Sequence, residues 1–383
     1  METDDVSVRE QLFHNRVRET IICVLLFTCL YMVSYLILTH FKKTAEFITD
    51  DVEDATVNKI ALWMCTFTLS VAVCAVLLLP ISILSNEVLL TFPQSYYMQW
   101  LNGSLIHGLW NLVFLFSNLS LVFLMPFAYF FTESEGFAGS KKGVMARVYE
   151  AVVLLLLLAL LVLGIVWVAS ALLHDNIARK SLYDLWEYYL PYLYSGISLF
   201  GVLLFLLCTP FGLSRMFSVT GSLLVNLYMS FTSVNIKFFS CVVLKINYSY
   251  LMVSSVVGFY SSPLFMGLLP RAQDTNLTEI IANCVSLLIL SSALPVFSRT
   301  LGITRFDLLG DFGRYNWLGN FYIVFLYNML FAGLTSASLI KTVTWAVQRE
   351  LIRAFGLHRL PLTVSRSTVP FRLLLASGLS KIQ

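Results

Sequence analysis

The chain has 383 residues, of which 58% are hydrophobic and 12% charged, about half the charged share of an ordinary soluble domain. So much apolar side chain excludes a water-soluble fold of this length. The formal net charge of +3 is small and its basic residues are scattered between apolar runs, which excludes a nucleic-acid footprint.

The opening METDDVSVREQLFHNRVRET is mixed in charge, and the apolar run after it ends at HFKK with no small-residue cleavage site. It reads as a retained first span behind an outer segment, 1–20, and not as a removed signal peptide. Crossing the ~30 Å hydrocarbon core takes about 20 apolar residues in a helix, the conformation that satisfies its own backbone there. Seven uncharged runs meet or nearly meet this length: Ile21–Thr39, Ile60–Leu84, Gly108–Phe131, Ala151–Leu173, Tyr189–Thr209, Ile280–Phe297 and Asn320–Ile340. The fold class is therefore all-α, a polytopic helical membrane bundle.

Tyr96, Tyr97 and Trp100 precede the third run, and Tyr183, Trp186, Tyr188 and Tyr189 precede the fifth; both sets read as interface anchors. Ser181 and Asp184 have capping-box spacing at the start of the fifth. Between Arg215 and Arg271, the uncharged stretches 216–236 and 246–270 flank Lys237 and Lys245. One crossing or two fit this region, giving eight or nine spans, with both lysines near an interface.

The loop 85–106 has no Lys or Arg, whereas 132–150 has Lys141, Lys142 and Arg147. By the positive-inside rule the first is outside and the second inside, with the N-terminus outside. The segment after Ile340 carries Lys341, Arg349, Arg353, Arg359, Arg366, Arg372 and Lys381 and belongs inside. These assignments demand an odd number of crossings, hence nine. Residues 344–360 set Trp345, Leu351, Ile352 and Phe355 against Arg349, Arg353 and Arg359 before Pro361. They read as a basic amphipathic helix on the inner leaflet or as a plain continuation of the last span.

Seven cysteines with no CxxC pair, and five histidines set singly at segment ends, argue against a zinc site or a disulfide framework. No cofactor is expected. Residues 298–321, SRTLGITRFDLLGDFGRYNWLGNF, gather Arg299, Arg305, Asp307, Asp311 and Arg314 between two uncharged runs. This is the candidate recognition or structural loop, its two acids neutralised by Arg305 and Arg314 and its turns made at glycines. A paired-aspartate protease would draw on Tyr183-Asp184 and Leu308-Leu309-Gly310-Asp311, but Leu308 stands where that motif has Gly and both acids fall at membrane edges. The chain is therefore not expected to be an enzyme. Asn111, Asn118, Asn283 and Asn328 read as interhelical hydrogen-bond formers, and Ser254–Gly258 and Gly333–Ala337 as small-residue packing pairs. Asn102-Gly-Ser is a glycosylation sequon on the expected outer face.

The stretches WLNGSLIHGLWN (100–111), FTESEGFAGS (131–140), SLYDLWEYYLPYLYS (181–195) and LMVSSVVGFYSS (251–262) resemble the limb region 1 protein family, as do FKKTAEF, SSPLF and LIRAFGL. The resemblance covers nearly all of 1–225 and 250–363. It implies nine spans, an extracellular N-terminus and a cytoplasmic tail, at the plasma membrane and the endoplasmic reticulum membrane. It also implies a receptor or adaptor that binds lipocalin-type ligands for endocytic uptake. Negative regulation of Wnt signalling, through turnover of Wnt receptors with ubiquitin-ligase machinery, is implied as well. A distantly similar lysosomal family linked to cobalamin handling gives the alternative, a transporter of a small lipid- or vitamin-like ligand. The chain departs from the family at VNLYMSFTSVNIKFFSCVVLKINYSY (225–250), which stands where the family has a long hydrophilic cytoplasmic loop and about one and a half spans. The resulting division is 1–20, a five-span bundle 21–209, a divergent segment 210–250, C-terminal spans 251–340 and a basic tail 341–383.

Overall fold

The computed structural model describes residues 2–47, 52–91, 93–94, 100–134, 143–173, 185–227, 251–263, 265–304 and 320–354. Apart from one isolated bridge, the regular structure among them is helical: α1 (Glu2–Phe41), α2 (Val52–Thr91), α3 (His107–Leu119), α4 (Met125–Glu133), α5 (Val144–Leu173), α6 (Leu185–Leu227), α7 (Leu251–Ser261), α8 (Leu277–Thr300) and α9 (Phe321–Ala354). Seven helical segments are long and apolar enough to cross a membrane. Each contains or overlaps one of the seven uncharged runs, because a crossing segment must close its hydrogen bonds within itself. The chain divides into two compact units, Met1–Thr335 and Ser336–Gln383.

Several helices outrun their apolar runs. The fifth span does not stop at Thr209: α6 continues through Pro210 to Leu227. A proline costs one backbone hydrogen bond, a loss that membrane helices tolerate. Likewise α9 runs unbroken from Phe321 to Ala354, so the basic residues Lys341 to Arg353 extend the last helix with no break at 344. The capping-box residues Ser181 and Asp184, and the lysines Lys237 and Lys245, lie outside the described residues.

α3 and α4 form one crossing interrupted by a π-helical turn, Ser120–Leu124. Its cause is Pro126, which has no N–H for the Val122 carbonyl and would press its ring on that carbonyl. The ladder shifts to i→i+5, with Met125 N donating to Ser120 O.

The most buried crossing is α8, whose residues from Leu288 to Ser298 are buried at nearly every position. It packs on α2 and α6. Phe297 stacks on Phe205 at 4.5 Å between centroids, and Gly201 of α6 faces Ala293 and Ile289 so closely that a Cβ there would overlap both. Further along α6, Gly212 meets α7 backbone to backbone. A Cβ at Gly212 would run into the Ser254 carbonyl, and one at Gly258 into the Cys208 carbonyl. The Ser254–Gly258 spacing thus packs on a matching Cys208–Gly212 pair. Among the described residues nothing lies within 4 Å of a Cβ placed at Gly333, so that glycine makes no close contact with a described helix.

At one end of the bundle the chain after α1 is clipped to the chain before α8. Lys43 N donates to Thr275 O (3.1 Å) and Thr275 N to Phe41 O (3.3 Å), around a parallel bridge of Lys42 with Thr275. The N-cap of α8, Asn276, makes no side-chain cap bond. Its role falls to Glu46, whose Oε2 accepts from Leu277 N at 3.0 Å across 231 residues of sequence. An anion there also suits the positive end of the helix dipole. Near the same end Arg147 of α5, 8% exposed, donates to Asp54 of α2.

The clip places 41–47 and 271–277 on one side of the bundle. Four crossings, α2, α3–α4, α5 and α6, lie between them in the chain. α7 is only half a crossing. It starts level with the middle of α8, where Met252 lines a cavity with Leu287 and Leu290, and runs toward the clip, where Tyr260 bonds Asn283. Seven crossings are described; how many more the chain makes turns on 228–250, outside the described residues.

Accessible-thiol labels at Thr44→Cys and Asp274→Cys, in a background freed of native cysteines, should react from the same side of the membrane. Labelling from opposite sides would break the clip. Asp54→Asn leaves Arg147 charged and largely buried, and should lower stability by ~2 kcal/mol in a thermal melt of the detergent-solubilised protein. Arg147→Met with Asp54→Leu should recover most of it.

Candidate functional site

Among the described residues a seam of polar groups joins the spans, with half of its bonds made to α8. Tyr260 Oη donates to Asn283 Oδ1 (3.2 Å), and Asn283 Nδ2 donates to Leu268 O (2.7 Å). Thr209 and Ser255 share a hydrogen bond of 2.9 Å between α6 and α7. Tyr194 Oη donates to Ser292 O at 3.0 Å, and Tyr327 Oη to Val202 O at 3.2 Å. Trp110 Nε1, fully buried, donates to Ser82 Oγ at 2.9 Å. Each bond joins two elements where water cannot compete.

The end of α8 leads into the charged stretch and is held in three ways. Ser298 O accepts from Ile303 N (2.9 Å), Ser298 and Thr304 hydroxyls pair at 3.1 Å, and Thr300 O accepts from Asn328 Nδ2 (3.0 Å). Gly302 makes the turn at φ +70°, where a side chain is strained. Arg299, in the last turn of α8, is exposed. The other charged residues of the candidate loop, Arg305, Asp307, Asp311 and Arg314, lie outside the described residues. Asn102 falls within a π-helical segment, Leu101–Ile106, before α3. Of the four asparagines read as interhelical formers, Asn283 and Asn328 bond across elements, while Asn111 is exposed and Asn118 is buried without a partner.

Beside the π turn lies the groove that sequence reasoning missed. Its volume is ≈ 610 Å³, with walls from Tyr31 of α1, Trp63 and Phe67 of α2, Phe123 of the π turn, Phe127 of α4 and Leu155 of α5. Ser120 also lines it. Ile60–Phe67 lie 6 to 13 residues beyond Asp54, about 9–20 Å deeper along α2, so the groove sits at hydrocarbon depth, with Trp63, Leu119 and Phe123 of its walls exposed at the bundle surface. Five aromatic rings spread over α1–α4 give no periodic signal in sequence; only the fold gathers them.

The family model for LMBR1-like membrane proteins matches this chain in two blocks, 19–222 and 215–343. The limb region 1 homolog-like protein of Danio rerio is 66% identical over 490 positions, covering all of both chains. Those 490 positions against 383 residues put at least 107 opposite gaps in this chain, and the break between the family blocks falls within 210–250, the segment that departs from the family's wording. The LMBR1L protein of Homo sapiens is 56% identical, over 94% of this chain and 96% of that one, and the human limb region 1 protein homolog is 50% identical over 94% and 95%. No solved structure matches. With matching wording along its length and seven crossing helices of the expected order, the chain belongs to the LMBR1-like family of multi-pass integral membrane proteins.

Proposed function

We propose that this protein is a multi-pass receptor or adaptor, not an enzyme, whose connecting loops recognise an extracellular lipocalin-type ligand and carry it into endocytosis. In the same reading it restrains Wnt signalling through turnover of Wnt receptors with ubiquitin-ligase machinery, and works at the plasma membrane and the endoplasmic reticulum membrane. One observation supports it above others: the polar groups of the seam bond to one another and to backbone carbonyls, leaving chemistry-bearing side chains to the connections. The lipocalin and Wnt parts rest on the resemblance of sequence. Because at least 107 aligned positions face gaps here, this chain should bind cytoplasmic partners of the central loop more weakly than its longer relatives.

The transporter alternative calls for a polar path across the bundle. The groove is instead apolar-walled, which favours the receptor reading.

Exchanging Arg305 and Asp307 for Ala should reduce uptake of a fluorescent lipocalin several-fold in cells where surface biotinylation shows normal delivery. Uptake at the unmodified level, with delivery equally normal, would take the charged loop out of the recognition site.

A further inference from the structure

Hydroxyls within the spans of this protein are, as a rule, bonded to a carbonyl one turn back: Thr28 to Val24, Thr39 to Tyr35, Thr66 to Leu62, Ser70 to Thr66 and Ser82 to Leu78, all at 2.7–2.8 Å. Three buried serines break the rule, Ser34, Ser85 and Ser120, whose hydroxyls have no partner among the described residues. Of the three, the one that lines the groove is the fully buried Ser120. A hydroxyl left so costs about 1–3 kcal/mol, and the π turn that begins at Ser120 redirects the chain at this point.

The remaining groove chemistry narrows what could meet it. The polar side-chain atoms on its walls are uncharged: the Tyr31 hydroxyl, the Trp63 indole N–H and Ser120 Oγ. An ionised headgroup inside would be desolvated without a counter-charge. The walls offer flat rings, with Phe67 and Phe123 among them, which pack against another rigid ring system at low entropic cost. The volume is that of a whole small-molecule ligand. Polarity lies at both ends: exposed Lys59 sits 5.9 Å from the Trp63 ring at the rim, and Ser120 lies deep. Phe131 packs with Val57, so Ser120, 11 residues back along α4 and α3, lies about 13 Å deeper than Lys59, two residues past Val57 on α2.

We propose that this groove binds a sterol-type lipid bearing a second hydroxyl on its tail. The rings lie between Tyr31, Phe67 and Phe123, the ring hydroxyl sits at the Lys59–Trp63 rim, and the tail hydroxyl pairs with Ser120 Oγ. The site is independent of the lipocalin reading.

The test uses the full-length protein in nanodiscs with a photoreactive sterol, followed by peptide mapping. Labelling should fall on 60–67 and 119–127. A tail-hydroxylated sterol should compete about three- to ten-fold better than the same sterol without that hydroxyl, the worth of one hydrogen bond. The preference should vanish in Ser120→Ala. Leu119→Trp, at a wall position already 45% exposed to lipid, should block competable labelling while the melting temperature stays within a few degrees. Labelling that no sterol competes for would mark the groove as ordinary lipid contact and overturn the proposal. So would equal competition by phosphatidylcholine, or a tail-hydroxyl preference that survives Ser120→Ala.

Discussion

Hydrocarbon supplies no hydrogen-bond partner, and every feature of this bundle follows from that. A backbone group left open in lipid costs several kcal/mol, so each uncharged run becomes a helix. The same rule governs side chains. Most span hydroxyls fold back on carbonyls one turn away, and those that reach across, such as Tyr194 to Ser292 and Tyr327 to Val202, become the contacts that fix helix neighbours.

Lipid tails are as apolar as leucine, so burial of leucine alone does not choose one helix arrangement over another. Small residues choose it here. The Cys208–Gly212 and Ser254–Gly258 pairs let α6 and α7 touch through their backbones, and Gly201 brings α6 onto α8. That close approach puts Thr209 within bonding distance of Ser255. Around the central α8 the larger side chains Trp110, Phe114, Phe205 and Phe297 fill the interior. At its N-terminus, Glu46 supplies the cap that its own sequence lacks.

The sequence makes the crossings legible because their length and lack of charge are local properties. The seven uncharged runs become seven long helices, though α6 and α9 extend past the expected ends, since a helix need not stop where its apolar stretch does. What escapes a linear reading is whatever joins distant residues. Asp54 and Arg147 are 93 residues apart and Glu46 and Leu277 are 231 apart, and no period or motif links them. Arg147 reads from sequence only as a topology charge. Asn118 and Asn283 look alike in the sequence, yet one is bonded across the bundle and the other is not, because α7 reaches only the second. Of the candidate loop, Arg299 alone falls among the described residues, so its expected charge pairing stands on sequence.

The family assignment and the membrane architecture stand on agreement between the wording of the chain and the helices it forms; the ligand remains a matter for the loops and the groove. Small residues and paired hydroxyls, not leucine burial, produce the docking of α7 on α6 inside the membrane. It is tested most directly by oxidative cross-linking of Thr209→Cys with Ser255→Cys in native membranes, after the endogenous cysteines are removed. Rapid, near-complete disulfide formation is the predicted result, lost when Gly258 is also changed to Leu. No cross-link at 209–255, with efficient cross-linking of either thiol to a lipid-facing site elsewhere, would contradict it.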